Sequence, residues 1–296
     1  MHYEFKKGII FRNGEKHYSY AISEGKMPSF VGGLSLNIEE SEDLEEFVSR
    51  LEVSDDLEYL TLSNLSQDAF NKILWRIGTR LHELVIDSLK ENPSMFDLRF
   101  INQCNNLKRL KINILNGILI LWNSKKTTKL RDLEIVNAKG LLNQESLNGL
   151  RVKKLIIRRH SHGCSNIKGL TIKDFNVFTT MPYLRELILL IGNKKDKVSD
   201  LLALSKLSKL KYIELPKNYF FFNQYAWLTS KLPSTRGLGC YKVEYDHANE
   251  MDGYIINGSR MCWDVKGFEK DKLNKYIKRF DKLVEKYSND EYPPIK

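Results

Sequence analysis

Aliphatic residues recur along the chain at a fixed spacing. They stand at offsets 0, 3, 5 and 8 of a short block, first as Leu57, Leu60, Leu62 and Leu65. The block returns from Leu81, Leu107 and Leu130, with steps of 24, 26 and 23 residues. Because side chains alternate across a β-strand, the residues at offsets 3 and 5 point to the same side. The pattern therefore predicts a series of short strands, each of which buries one side.

Further blocks begin at Val152, Ile167, Leu184 and Leu210. The steps into and out of the block at Ile167 are only 15 and 17 residues, which leaves little chain for a return path. Either the return paths on both sides of the Ile167 block are tight and extended, or one of the two segments that begin at Val152 and Ile167 is a strand outside the main sheet. Both segments keep the inward pair, and we therefore favour two repeating units between residues 152 and 175.

The last block reads Leu-x-x-Ile-x-Leu-x-x-Asn from Leu210 to Asn218. This spacing resembles the strand segment of leucine-rich repeats position by position. The resemblance covers residues 57–218 and extends back to a similar segment at residues 34–38. It implies an α/β repeat fold, a leucine-rich repeat solenoid with a curved parallel sheet and about eight to ten repeats.

Alternating segments at residues 8–11 and 17–22 flank Asn13 and Gly14, which predicts a β-hairpin that caps the N-terminal end of the solenoid. Apolar residues at helical spacing predict helices at residues 42–52, 68–77 and 199–207. Between residues 115 and 180 the helix signal is weak, and we expect extended chain or single helical turns there.

Beyond residue 218 the repeat pattern ends. An aromatic cluster at residues 219–227 is predicted to seal the last repeat, and residues 233–239 read as a loop. Strands are predicted at 240–245, 254–256 and 261–265, the last two around an Asn-Gly turn, followed by a helix at 269–287. The predicted organisation is an N-terminal hairpin cap (1–33), a solenoid (34–218) and a C-terminal cap of a β-hairpin and a helix (219–296), all in one continuous unit.

The composition narrows the class of protein. Forty-seven Lys and Arg residues against 37 Asp and Glu residues give a net charge of +10, which favours a partner with a negative surface. No apolar stretch has the length of a membrane span or signal peptide, so we expect no transmembrane segment and a cytoplasmic protein. Frequent Lys, Asn and Ile indicate a low-GC genome and suggest a bacterial source.

Little in the sequence points to catalysis or to a cofactor. The four cysteines form no C-x-x-C pair, and His160, His162 and Cys164 match no zinc spacing. Asp246, His247, Glu250 and Asp252 gather acid and base groups, but no nucleophile or phosphate-binding loop accompanies them. We therefore predict a protein that is not an enzyme, without catalytic residues, metal or cofactor.

In solenoids of this family the strand face that is not needed for stacking commonly carries recognition. The residues predicted to contact a partner on this concave face are Tyr59, Arg109, Lys111, Asp132, Glu134, Lys154, Arg158, Arg159, Lys173, Glu186, Tyr212 and Glu214. Val85, Ile156, Ile188 and Leu190 are expected to add exposed apolar area.

The basic members of this face form a central zone that allows two interpretations. The cations either pair with Asp132 and Glu134 across adjacent strands and only solubilise the sheet, or they form a true ligand surface. A nucleic-acid reader should show a continuous basic track with few carboxylates, because each phosphate contact depends on a cation.

The resulting expectation is a non-enzymatic module that binds a partner protein, with an acidic contact surface, on its concave sheet. Adaptor, effector-recognition and toxin-immunity proteins are the types that the fold analogy suggests. The alternative is binding of an anionic polymer such as RNA or anionic lipid through the central basic zone, with nucleic acid the less favoured partner. A third hypothesis, an enzyme that uses His247, depends only on the acidic cluster around that residue.

Overall fold

The structure is a computed structural model that describes residues 5–12, 15–22, 33–37, 48, 57–89, 95–115, 117–158, 170, 172–191, 198–216, 219–246, 251–258, 262–264 and 270–295. The chain divides into two compact units, residues 1–170 and 171–296. Each unit is described by itself below. The predicted boundaries after residues 33 and 218 stay a prediction.

The first unit consists mainly of short strands. In chain order these are β1 (Phe5–Arg12), β2 (Glu15–Ile22), β3 (Gly33–Asn37), β4 (Tyr59–Leu65), β5 (Glu83–Leu89), β6 (Met95–Asp97), β7 (Arg109–Asn113), β8 (Ile118–Ile120), β9 (Asp132–Val136), β10 (Gly140–Leu142) and β11 (Lys154–Arg158). A helix, α1 (Gln67–Ile77), lies between β4 and β5. Short 3-10 helices occupy Arg99–Gln103, Ser124–Lys126 and Gln144–Leu147.

The main sheet of this unit contains seven parallel strands, in the order β2-β3-β4-β5-β7-β9-β11. β1 pairs with β2 in an antiparallel hairpin, as the sequence predicts, and β2 in turn pairs with β3. Neighbouring strands pair in the register of the sequence blocks, so that Leu60, Leu84, Leu110, Leu133 and Leu155 stand opposite one another. The repeating spacing thus corresponds to a stacked parallel α/β sheet.

The inward pair of every described block is buried, as the alternation predicts. Offsets 3 and 5 are at most 4% exposed in all the blocks from Leu60–Leu62 to Ile213–Leu215. Full burial of a Leu or Ile side chain stabilises the fold by about 1.5–3 kcal/mol. Leu115, at offset 8, departs from the pattern because it is 52% exposed, and the neighbouring Ile114 is buried in the core.

The helix α1 forms where the sequence predicts it. Ser66 caps it, since its hydroxyl accepts a hydrogen bond from the Ala69 amide at 3.2 Å. Phe70, Ile73, Leu74 and Ile77 are fully buried on one face. Of the helix predicted at residues 42–52, only Val48 is described, and it is helical and buried.

A second, small parallel sheet of the first unit was not predicted. Its order is β10-β8-β6, and its central residues Phe96, Leu119 and Leu141 are buried. The Gln67 amide completes its edge, accepting from the Asp97 amide at 2.7 Å and donating to the Asp97 carbonyl at 2.9 Å. Extended chain and single 3-10 turns make up the return paths here, as expected for residues after 115.

The second unit begins with α2 (Asn176–Thr179), β12 (Glu186–Leu190), α3 (Val198–Ser205) and β13 (Tyr212–Glu214). β12 and β13 are parallel and keep the block register. For the block at Ile167, Leu170 and Ile172 are buried as predicted, but no strand is described at residues 170 and 172–175. Most of the remaining block lies outside the described residues.

The rest of the second unit contains α4 (Phe222–Lys231), β14 (Tyr241–Asp246), β15 (Met251–Ile256), β16 (Cys262–Asp264) and α5 (Lys270–Tyr287). β15 and β16 pair in the antiparallel hairpin that the Asn-Gly turn predicts, and β14 pairs with β15 as a third antiparallel strand. The helix α5 matches its prediction. The sequence predicts an aromatic cluster at residues 219–227 but not the helix α4 that contains Tyr225 and Trp227.

Specific hydrogen bonds join α4 to the C-terminal segment. Trp227 Nε1 donates to the Asp290 carbonyl at 3.0 Å, and Gln224 Nε2 donates to the Pro294 carbonyl at 3.1 Å. Within the described residues, no helix is both long and apolar enough to cross a bilayer.

Candidate binding surfaces of the parallel sheet

Side chains of the first unit that alternate with the buried pairs lie in rows across the main sheet. The register aligns one row as Tyr59, Glu83, Arg109, Asp132 and Lys154. A second row contains Thr61, Val85, Lys111, Glu134 and Ile156, and a third contains Asp87, Asn113, Val136 and Arg158. We call these three rows the polar face. The structure therefore brings the predicted residues of the first unit, Arg159 excepted, onto adjacent strands.

Arg109 lies between two carboxylates of its row. Its Nε is 3.2 Å from Asp132 Oδ2 on one side, and its Nη1 is 3.8 Å from Glu83 Oε2 on the other. The Glu83 side chain is only 6% exposed, so the nearby guanidinium offsets part of the cost of removing this carboxylate from water.

Glu134 is the second point at which charges meet. Arg158 Nη2 donates to Glu134 Oε1 at 2.7 Å, and Lys111 Nζ lies 4.0 Å from Glu134 Oε2. The Glu134 side chain is half-buried, and a charge-assisted hydrogen bond in such surroundings is stronger than one between neutral groups. Two cations of the predicted basic zone are therefore held by one carboxylate.

Neutral and acidic side chains continue this pairing at the end of the strands. Asn113 Nδ2 donates to Asp87 Oδ1 at 2.6 Å, and Asn137 Nδ2 donates to Asn113 Oδ1 at 2.8 Å. The chain can turn at Asn137 because this residue adopts a left-handed conformation, with φ of 62°, which Asn tolerates.

The polar face is thus balanced in charge. From β5 to β11 it carries equal numbers of cations (Arg109, Lys111, Lys154, Arg158) and carboxylates (Glu83, Asp87, Asp132, Glu134). The ion pairs agree with the first interpretation of the basic zone, in which the charges pair across adjacent strands. The expectation that Val85 adds exposed apolar area is wrong, since this side chain is only 9% exposed.

The other predicted residues lie in the second unit or outside the described part of the chain. Glu186 stands opposite Tyr212 on β12 and β13, and the Tyr212 hydroxyl donates to Glu214 Oε2 at 3.3 Å. Burial, and then the Glu214 carboxylate, raise the pKa of Tyr212. Lys173 is exposed and precedes α2, while Arg159 lies outside the described residues.

A second charged surface lies one residue before each strand, at the amino ends of the strands. Lys108, Arg131 and Lys153 occupy this position on β7, β9 and β11. Their backbones are hydrogen-bonded in series, with Arg131 N to Lys108 O at 2.8 Å and Lys153 N to Arg131 O at 2.6 Å. Lys129 and Arg151 stand two residues upstream and are exposed. We call these five cations the basic edge.

Sequence reasoning missed the basic edge, although the signal was present. These residues stand at offsets −1 and +1 of the blocks, on either side of Leu107, Leu130 and Val152, whereas the predicted binding face uses strand positions. Aligning the blocks and reading offset +1 as a column gives Lys, Arg and Lys in succession.

The candidate chemical groups do not assemble into a site in the described part of the chain. His160, His162, Cys164, His247 and Glu250 lie outside the described residues, and no group of three or more potential metal ligands occurs among those inside. Asp246 and Asp252 lie at the end of the β14–β15 hairpin.

Burial governs the chemistry of Cys104 and Cys240. Both Cys104 and Cys240 are buried, and burial raises the pKa of each thiol to about 12. Because the thiolate is the reactive form, neither side chain is suited to act as a nucleophile at neutral pH.

In comparisons with known proteins, the chain matches no family model and no curated protein.

Proposed function

We propose that the chain is a leucine-rich repeat protein of the cytoplasm, without enzymatic activity, that binds a partner protein on its polar face. The observation that carries the proposal is the register of the main sheet. Each strand buries the aliphatic residues at offsets 3 and 5 and turns the residues at offsets 2, 4 and 6 to the other side. Side chains from five adjacent strands therefore form one continuous surface.

The chemistry of this surface favours a protein over a charged polymer. Its cations already lie beside carboxylates, which leaves little excess charge to attract a polyanion. Protein interfaces combine aromatic and Arg side chains with polar groups of both signs, and Tyr59, Arg109 and Arg158 are of these kinds. The N-terminal hairpin and the C-terminal strands and helix would cap such a solenoid.

Ion pairing also bears on the partner's contact surface. The net charge favours a partner with an acidic contact surface. Arg109 and Arg158, however, are already paired with carboxylates of the polar face. A carboxylate of the partner would have to compete with Asp132 and Glu134 for the same cations. A partner with its own mixture of charges meets the polar face at lower cost. Adaptor, effector-recognition and toxin-immunity roles all fit this mode of binding.

Bulky substitutions on the polar face test this proposal. The experiment compares the wild-type chain with a Thr61→Arg/Ile156→Arg variant as bait in the source cell's lysate. Both residues are half-buried on the face, and their arginines would obstruct a docked protein without removing an ion pair. We expect a stoichiometric partner that the wild type retains and the variant loses by at least tenfold in affinity.

A matched control adds the same charge elsewhere. Gln103→Arg/Asn105→Arg places two arginines on exposed positions at the end of a 3-10 helix, away from the three rows. Equal capture by all three baits, with circular dichroism showing all three folded, would contradict binding on the polar face.

A further inference from the structure

The basic edge repeats one sign of charge on successive blocks. On the three blocks of β7, β9 and β11, the positions at offsets −1 and +1 are Asn106, Lys108, Lys129, Arg131, Arg151 and Lys153, and none of them is acidic. Lys108 and Lys153 form no ion pair with any residue that the structure describes. The guanidinium of Arg131 donates to the carbonyls of Thr128 and Leu130, neither of which carries a charge.

This arrangement works against folding rather than for it. Neighbouring strands lie about 4.8 Å apart, and like charges placed opposite one another across strands are destabilising. The polar face avoids this cost by alternating sign, with Arg109 between Glu83 and Asp132. One residue before these strands, the sign repeats on three successive blocks. A structural role in the sheet therefore does not account for the row.

The second unit shows the same feature independently. Arg185 and Lys211 immediately precede β12 and β13, and Arg236 follows in the series, with Lys211 N to Arg185 O at 2.7 Å and Arg236 N to Lys211 O at 3.0 Å. Lys209 stands two residues before Lys211 and is exposed. Two separate units thus place stacked cations at the amino ends of their parallel strands.

The edge also lacks what a protein or membrane contact requires. The aliphatic residues between its cations, Leu107, Leu130 and Val152, are completely buried and offer no apolar anchor. Protein interfaces have an apolar core, and membrane-bound surfaces usually insert apolar side chains. Cations repeated on three successive blocks, with no apolar anchor between them, instead fit a backbone of regularly spaced phosphates.

We propose that the basic edge binds the phosphate backbone of nucleic acid, independently of base sequence, at a surface separate from the polar face. Recognition is electrostatic, since each phosphate that meets a Lys or Arg releases condensed counterions. The site goes beyond the proposed protein-binding function and does not depend on it.

Binding to a labelled oligonucleotide tests the proposal. The full chain is titrated into a fluorescein-labelled 20-nucleotide oligouridylate, and anisotropy is followed between 50 and 300 mM NaCl. We expect the Lys108→Gln/Arg131→Gln/Lys153→Gln variant to lose at least tenfold in affinity at 100 mM NaCl. Its plot of log K against log salt should be shallower by about 2, from the slope of about 0.7 per phosphate contact on a single strand.

Two further variants separate the site from net charge and from folding. Lys275→Gln/Lys278→Gln/Lys282→Gln removes the same charge from exposed positions of α5, and its affinity should stay within twofold of wild type. Lys108→Gln/Lys153→Gln leaves the hydrogen bonds of Arg131 in place and should still lose at least threefold. Wild-type affinity in the edge variants, or an equal loss in the α5 variant, would overturn the proposal.

Two other anionic probes test whether the basic edge is selective for nucleic acid. Phosphatidylserine vesicles and polyglutamate are titrated under the same conditions as the oligouridylate. Edge-dependent binding of either probe, without edge-dependent binding of the oligouridylate, would assign the surface to a membrane or an acidic protein and would refute the nucleic-acid assignment. Partner capture through the polar face should survive the edge substitutions, so failure of one proposal is distinguishable from failure of the other.

Discussion

The polar face and the basic edge of the first unit use neighbouring residues of the same strands in opposite ways. Arg109 on the face lies between Glu83 and Asp132, whereas Lys108, one residue earlier, is followed on the next strands by Arg131 and Lys153. Opposite charges attract across a sheet and like charges repel, each by a fraction of a kcal/mol to about 1 kcal/mol. The face is arranged as stability requires, and the edge is not.

This contrast indicates which charged side chains of the sheet can meet a ligand. A net charge of +10 says nothing about which cations are available to a ligand. On the polar face, the carboxylates of Asp132 and Glu134 occupy Arg109, Lys111 and Arg158. In this sheet, Lys108, Arg131 and Lys153 form no ion pair with any residue that the structure describes. They stand just before the strands, where the period-two pattern makes no prediction.

The largest expected effect comes from removing the carboxylate that holds two cations of the face. Glu134→Ala should lower the free energy of unfolding by about 1–3 kcal/mol, because Arg158 loses its charged acceptor while staying half-buried. Urea denaturation followed by circular dichroism measures the change. Glu145→Ala, at an exposed position of a 3-10 helix, is the control and should change stability by less than about 0.5 kcal/mol. Equal losses in the two variants would mean that the face ion pairs do not stabilise the sheet.

A second change should make the polar face bind oligouridylate, as the basic edge is proposed to do. Asp132→Asn/Glu134→Gln keeps the shape of both side chains, removes the carboxylate beside Lys111 and Arg158, and leaves Arg109 beside Glu83 alone. We expect the affinity for oligouridylate at 100 mM NaCl to rise about tenfold, since each phosphate contact at low salt adds a severalfold factor.

The control for this change removes two carboxylates from exposed positions elsewhere, as Glu145→Gln/Glu285→Gln. It raises the net charge equally but should alter affinity by less than about threefold. A similar gain in both variants would show that net charge, and not the pairing on the face, limits binding.

The smallest expected effect is the stability change on neutralising the edge. Lys108→Gln/Lys153→Gln should leave the free energy of unfolding unchanged or raise it by up to about 0.5 kcal/mol, because it removes repulsion between exposed like charges. The same urea experiment measures it. A loss of more than about 1 kcal/mol would mean that these lysines make stabilising contacts, and that the contrast between edge and face is not real.

Most of the parallel sheet was predictable because its signal is local and repeated. Offsets 3 and 5 recur with the same chemistry, and each of the described pairs is buried. The strands β6, β8 and β10 were not predictable in the same way, since three residues are too few to show alternation. The helix α4 was not predictable from local propensity, because Tyr225 and Trp227 form helices less readily than Leu or Ala, and both side chains are buried.

The candidate surface was predictable in position but not in electrostatics. Strand periodicity identifies which side chains share the polar face, and the register aligns them as expected. It does not tell whether Arg158 reaches Glu134 on the neighbouring strand or points to solvent, because that depends on side-chain rotamers and on the burial of each charge. Leu115 illustrates the same limit, as its spacing matches the core while Ile114 occupies it.

The most direct test of the division between face and edge is an NMR titration of the ¹⁵N-labelled chain with unlabelled oligouridylate in 100 mM NaCl. We expect the largest amide shifts at Lys108, Arg131 and Lys153 and small shifts at Lys111, Glu134 and Ile156. Larger shifts on the second set than on the first would contradict this expectation, because they would place the available positive charge on the polar face.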